Sequence, residues 1–169
     1  HVLERDGGGC GSDDFVLIAQ ARSQHLVKHN EHGWFRLKPD LLVKQKQTTH
    51  LVLDTKWKLL DSVKKNARDK YQLSQADFYQ MYAYGHHYLD GARGDNTKGI
   101  VLIYPKTDAF AEPLPVFEFP KANGMRLWVL PFCLTKRQLM LPASPAFDVA
   151  FIQDNSSKTR ADNLNAVPA

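Results

Sequence analysis

Three residues in the first third of the chain have the types and spacing of a phosphate-hydrolysing site. Asp40 lies inside the apolar run Phe35-Arg-Leu-Lys-Pro-Asp-Leu-Leu-Val43. Asp54 lies inside Leu51-Val-Leu-Asp-Thr-Lys-Trp-Lys58, and Lys56 follows it by two residues. Side chains on a strand alternate faces, so Asp54 and Lys56 point the same way, with Val52 before and Lys58 after. Leu51, Leu53, Thr55 and Trp57 take the other face. Two carboxylates brought together raise each other's pKa, and a divalent cation relieves the repulsion. Oxygen ligands favour Mg²⁺, with Mn²⁺ as the alternative, and the Thr55 backbone carbonyl between the two side chains is a further candidate ligand. Lys56 can orient or deprotonate a water and offset charge on a pentavalent phosphate. The plain alternative for Asp-x-Lys is an exposed strand face, and for Asp40 a strand-end acid after proline. The apolar density around Asp54 argues for function.

These residues need a hairpin to bring them together. Trp34 to Val43 reads as one strand, bent at Pro39 because proline lacks a ladder donor. Lys44 to Thr49 is a polar connection, and His50 to Lys58 is the next strand, so the two should pair antiparallel. Asp40, 14 positions before Asp54, then reaches it if the register permits. Upstream, residues 15–28 read as one strand that starts buried and ends wet, with a short helix as the competing reading because Ala and Gln favour it, and a turn follows at Asn30-Glu31-His32-Gly33.

A helix is the second positioning element. Leu59 to Tyr71 is a basic crossover. Ser74-Gln-Ala-Asp77 matches a capping box, which starts a helix over about residues 75–89 that ends in Gly91–Asn96. Gln80 and Tyr84 share one face, with Asp77 and His87 continuing the stripe; Phe78, Met81, Tyr82 and Tyr88 form the apolar side. Adjacent His86 and His87 point apart and read as surface or partly packed. Gly99 to Tyr104 is an apolar run stopped by Pro105, a strand covered on both faces. Val116–Phe119 and Arg126–Phe132 are two more. The result is α/β or α+β, a mixed sheet with a crossover helix.

The totals bound the class. The chain has 169 residues, 43% hydrophobic and 24% charged, as expected for one globular domain. Residues 1–14 read as a flexible lead-in or the remnant of a preceding region, 15–140 as the domain, and 141–169 as an extension, with a surface tail from Asp154. The first residue is His1, not Met, which suggests a piece of a longer protein. No apolar run approaches the roughly 18 residues of a membrane span, and no signal peptide is visible. Two cysteines, Cys10 and Cys133, form no Cys-x-x-Cys pair and fit a reducing cytoplasm, Cys133 as a buried thiol. The net charge of +4 leans mildly towards polyanions. Lys58, Lys64, Lys65, Arg68 and Lys70 cluster after the central strand as candidate DNA contacts. Such a run is more often a solvated face. Trp57 and Trp128 are expected in the core.

Pro39-Asp40, then Asp54-x-Lys56, resembles the PD-(D/E)xK nuclease superfamily, and Gln80-x-x-x-Tyr84 resembles its RecB-type variant. The three motifs in order, over about residues 15–135, are similar to the nuclease domain of the McrC family, which belongs to the McrBC modification-dependent restriction systems. That resemblance implies a restriction-endonuclease-like mixed central sheet with flanking helices. It implies a Mg²⁺-dependent double-strand DNA endonuclease with catalytic Asp40, Asp54 and Lys56, supported by Gln80 and Tyr84. It also implies a GTP-driven AAA+ partner of the McrB type, and a second nuclease copy to cut the second strand. The chain carries no G-x-x-x-x-G-K-[ST] loop of its own. The N-terminal region that engages the partner ring in that family is not expected within this stretch of sequence. The acidic residue on a first helix, common in the superfamily, has only Glu4, Asp13 and Asp14 as candidates. Rival readings are a RecB-like repair exonuclease and an inactive DNA-binding module of the same fold.

Overall fold

The computed structural model describes residues 15–89, 98–122, 124–144 and 146–147. The lead-in, Cys10, the Gly91–Asn96 helix stop and the Asp154 tail lie outside those residues. The strands are β1 (Phe15–Ala19), β2 (Gln24–His29), β3 (His32–Leu37), β4 (Leu41–Gln45), β5 (Thr48–Thr55), β6 (Gly99–Pro105), β7 (Phe117–Glu118), β8 (Arg126–Cys133) and β9 (Gln138–Leu139). The sheet is flanked by the α-helix α1 (Gln75–Tyr88), in keeping with the mixed α+β class expected. Among the described residues no helix is long and apolar enough to cross a membrane.

Seven strands form one mixed sheet in the order β1-β4-β5-β6-β8-β7, with β9 also on β8. β4 and β5 pair antiparallel, as the short polar loop required, while β5, β6 and β8 run parallel. Side-chain alternation splits the core in two. Leu42, Val52, Ile100, Leu102, Leu127 and Val129 pack under α1 with Met81, Tyr84 and Tyr88. Val43, Leu51, Leu53, Val101, Ile103, Trp128 and Leu130 pack on the other face, closed by Phe147. β6 is buried on both faces, as its unbroken apolar run implied. Gly85 lets the helix come down on the sheet, because a Cβ there would meet Met125 and Ile100.

Five expectations need correction. Residues 15–28 are two strands, not one: the chain breaks at Gln20, whose φ is 51°, and β2 leaves the main sheet. Trp34–Val43 is likewise two strands in two sheets. Pro39 has no amide proton and so ends pairing, which leaves Asp40 in the connection just before β4. Trp57 is 80% exposed, because sheet pairing stops at Thr55 and it follows the edge of the core. Ser74 is the N-cap of α1 but its hydroxyl makes no cap bond, and Asp77 turns inward instead. Cys133 is half-buried.

Candidate active site

The β4–β5 ladder begins at the pair Leu41–Leu53, so Asp40, one residue before β4, arrives at the end of β5 that carries Asp54 and Thr55. Asp40 is fixed there by Thr55, whose amide donates to Asp40 Oδ2 at 2.8 Å and whose hydroxyl donates at 2.6 Å. A residue's N–H and C=O point the same way in an extended strand, so the Thr55 carbonyl faces the same edge as Asp40.

Asp54 shares the face of Val52 and is buried beneath α1. Lys56 Nζ lies 2.5 Å from Asp54 Oδ2 and donates to Gln80 Oε1 at 2.7 Å. Gln80 Nε2 donates to the Tyr84 hydroxyl at 3.0 Å, and that hydroxyl donates to the Lys38 carbonyl at 3.1 Å. This chain of bonds runs from the lysine back to the residue before Pro39-Asp40. Gln80 and Tyr84 are four apart on α1, one turn, which is why both reach the same edge of the sheet.

Asp77 also belongs to this cluster. It is buried on α1, and its carboxylate accepts from Lys58 Nζ at 2.9 Å and from the Tyr104 hydroxyl at 3.1 Å. Lys56 Nζ stands 3.9 Å from it. The sequence signal was the stripe Asp77, Gln80, Tyr84; the capping-box pattern gave Asp77 a competing role that it does not take.

Electrostatics follow burial. Removal from water pushes the Asp54 carboxyl above its ordinary value; the Lys56 bond and charge oppose this, and the charges of Asp40 and Asp77 add to it. Burial, then the Asp54 charge, pushes the Tyr84 hydroxyl up. Burial and Asp77 hold Tyr104 neutral.

The five candidate DNA-contacting cations divide. Lys58 joins the site through Asp77, and Lys64 pairs with Asp61 at 3.6 Å. Lys65, Arg68 and Lys70 stand exposed on the β5–α1 loop. His86 is exposed and His87 half-buried, as expected.

Asp40, Asp54, Lys56, Asp77, Gln80 and Tyr84 all fall within residues 11–105, which match the profile of the family described as McrBC 5-methylcytosine restriction system component. That match spans more than half of the chain. The chain belongs to this McrBC family. A solved structure similar to it is the refined half-complex from the tetradecameric assembly of Thermococcus gammatolerans McrB AAA+ hexamers with bound McrC. The identity is 17% and the TM-score 0.48, over 83% of this chain and 28% of that one. The chain therefore spans less than a third of the length of the relative it matches. No curated protein matches it at a significant level. Within the McrBC family frame, the cluster on β5 and α1 is the place where acidic and basic side chains converge under cover of the fold.

Proposed function

We propose that this McrBC component is the nuclease of its system, a Mg²⁺-dependent endonuclease of the McrC type that hydrolyses phosphodiester bonds of double-stranded DNA. The observation that carries the proposal is buried Asp54 on β5 paired with half-buried Lys56, with Asp40 held at the same end of the strand by Thr55 and Gln80 holding the lysine.

The donor set fits a hard cation. Asp54 is a desolvated carboxylate whose neighbour Asp40 already makes its charge unfavourable, which a divalent ion would relieve. Asp40, Asp54 and the Thr55 carbonyl offer oxygen ligands only and would share the ion with waters and substrate phosphate, the habit of Mg²⁺ rather than Zn²⁺. When bound, the ion would acidify a water and neutralise phosphate charge. Thr55 holds Asp40 in place. Gln80 and Asp54 hold the Lys56 ammonium where phosphate charge builds up. Asp77 positions Lys58 and biases Lys56 towards the same edge. Tyr84 ties α1 to the Lys38 carbonyl and so keeps Asp40 beside the cluster.

A GTP-driven AAA+ partner of the McrB type and a second nuclease copy, one per strand, complete the proposal. The test is cleavage of a methylated plasmid by the assembled system with GTP and Mg²⁺. Wild type is expected to cut, and Asp54→Ala and Lys56→Ala to fold, assemble and fail to cut. Undiminished cutting by either variant would refute the site.

A further inference from the structure

The β2–β3 hairpin stands apart from the main sheet. Its two strands pair only with each other. All of β2 is exposed, and all of β3 except Leu37. An isolated two-stranded ribbon is marginal in water and normally needs a packed face. This one instead presents Leu26, Val27, Trp34 and Phe35 to solvent, Trp34 at 51% and Phe35 at 67% exposure. Residues directly opposite share a face, so His25 and Arg36, Val27 and Trp34, and His29 and His32 line one side. The His29 ring meets Trp34 edge-on at 5.2 Å.

We propose that this ribbon is a duplex-DNA contact that enters a groove next to the cleavage site. The proposal rests on the nuclease reading and adds the surface that would seat its substrate. Charge complementarity selects DNA as the occupant. Between residues 22 and 38 the chain carries Arg22, Lys28, Arg36 and Lys38, three histidines able to donate to phosphate, and one acid, Glu31. A two-stranded ribbon fits the B-DNA major groove, and six residues reach about 20 Å. Aromatic side chains interleaved with cations suit sugar and base contacts beside phosphates.

Position makes the same case. The base of the ribbon is pinned to α1 by Tyr88, whose hydroxyl accepts from the Gln24 amide at 3.1 Å and lies 2.9 Å from the Leu37 carbonyl and 3.1 Å from that of Arg22. Tyr84 fixes the Lys38 carbonyl, and Pro39-Asp40 follows at once. The ribbon therefore projects from the segment that delivers a catalytic carboxylate. The turn at its tip, Asn30 and Glu31 with φ of 46° and 66°, has the primed hairpin geometry that keeps the strands twisted together.

The experiment measures binding of a fluorescent 5-methylcytosine duplex to the full chain in EDTA, by anisotropy across a salt series. Lys28→Glu/Arg36→Glu is expected to weaken binding by about tenfold or more and to flatten the log–log salt slope by roughly two. Tryptophan fluorescence in a Trp57→Phe background, which keeps Trp34 and the buried Trp128, is expected to quench on duplex addition and to lose that quench in Trp34→Phe/Trp57→Phe, a readout that does not depend on how the charge variant folds. Unchanged affinity and slope with wild-type binding intact, or no Trp34 response, would overturn the ribbon assignment alone. Loss of assembly with the AAA+ ring at unchanged DNA affinity would overturn it in favour of a protein-docking role. A wild-type chain with no affinity for duplex would overturn the nuclease reading as well.

Discussion

Two regions joined by Leu37-Lys38-Pro39-Asp40 handle charge and aromatic surface in opposite ways. In the β5–α1 cluster the side chains of Asp54, Lys56 and Asp77 each have partners at hydrogen-bond distance beneath a helix, and Lys58 reaches Asp77 from the solvent side. On the β2–β3 ribbon Trp34, Phe35 and Val27 are open to water. Burial makes the first region electrostatically strong: a desolvated Asp54 feels Lys56, Asp40 and Asp77 together. The second is held mainly at its base, by the hydroxyls of Tyr88 and Tyr84. Under the proposed function the contrast is one of task. Chemistry on phosphate needs fixed charges in a place water does not dominate, whereas gripping a long polyanion needs reach.

The largest test of the contrast is activity. Lys56→Ala removes the cation from a preorganised site and is expected to lower the cleavage rate by about a hundredfold or more. The rate of the assembled system on methylated plasmid checks this. Trp34→Ala, which removes a larger side chain from the ribbon, should leave single-turnover cleavage of saturating DNA within about tenfold, because it touches no reacting group. Equal losses in both variants would erase the distinction between the regions.

Stability should divide the regions next. Met81 is fully buried between α1 and the sheet, and Met81→Ala is expected to cost about 2–5 kcal/mol in denaturant unfolding. Trp34→Ala should stay within about 0.5 kcal/mol, as a surface change. Tyr88→Phe lies between. It strips the ribbon base of one hydroxyl that serves the Gln24 amide and the Leu37 carbonyl, at about 1–3 kcal/mol. Hydrogen exchange at the Gln24 amide should accelerate while the β6 amides keep their protection.

How much of this was legible in the sequence depends on the range of the interaction. β6 was readable because an unbroken apolar run reports burial on both faces, and α1 because the Ser74–Asp77 pattern marks a helix start, which Ser74 is even though its hydroxyl makes no cap bond. The acids and the lysine were readable as types that do not belong in apolar strands. Pro39 was visible but its effect was not: whether a proline bends a strand or divides it depends on what the flanking halves pair with. β3 pairs back on β2, and β4 with β1 and β5. Trp57 misled for a related reason, since its position past the last ladder pair is set by Ile103 on a distant strand. Asp77 shows the limit most clearly. Its local pattern favours a cap, but Lys58 and Tyr104, 19 and 27 residues away, draw it inward.

The smallest expected effect is also the finest probe of the buried cluster. The folded-state pKa of Asp54 is raised above its ordinary 3.8, mainly by burial. The folded protein therefore holds that proton more tightly than the unfolded chain does. The associated stability is whole below the ordinary value and is lost as pH rises through the raised one. Asn at this position cannot titrate. In EDTA, the melting temperature of Asp54→Asn minus that of wild type should grow across that window and level off towards neutrality, by about a few degrees. Loss of the Lys56 partner shifts the whole curve by a constant and leaves its shape intact. Adding Mg²⁺ at neutral pH should raise the wild-type melting temperature and narrow the gap, since an ion bound only by the folded state stabilises it by mass action. A pH-independent difference would mean that Asp54 is not desolvated as its burial requires, and the ribbon and the cluster would then differ less than their exposures say.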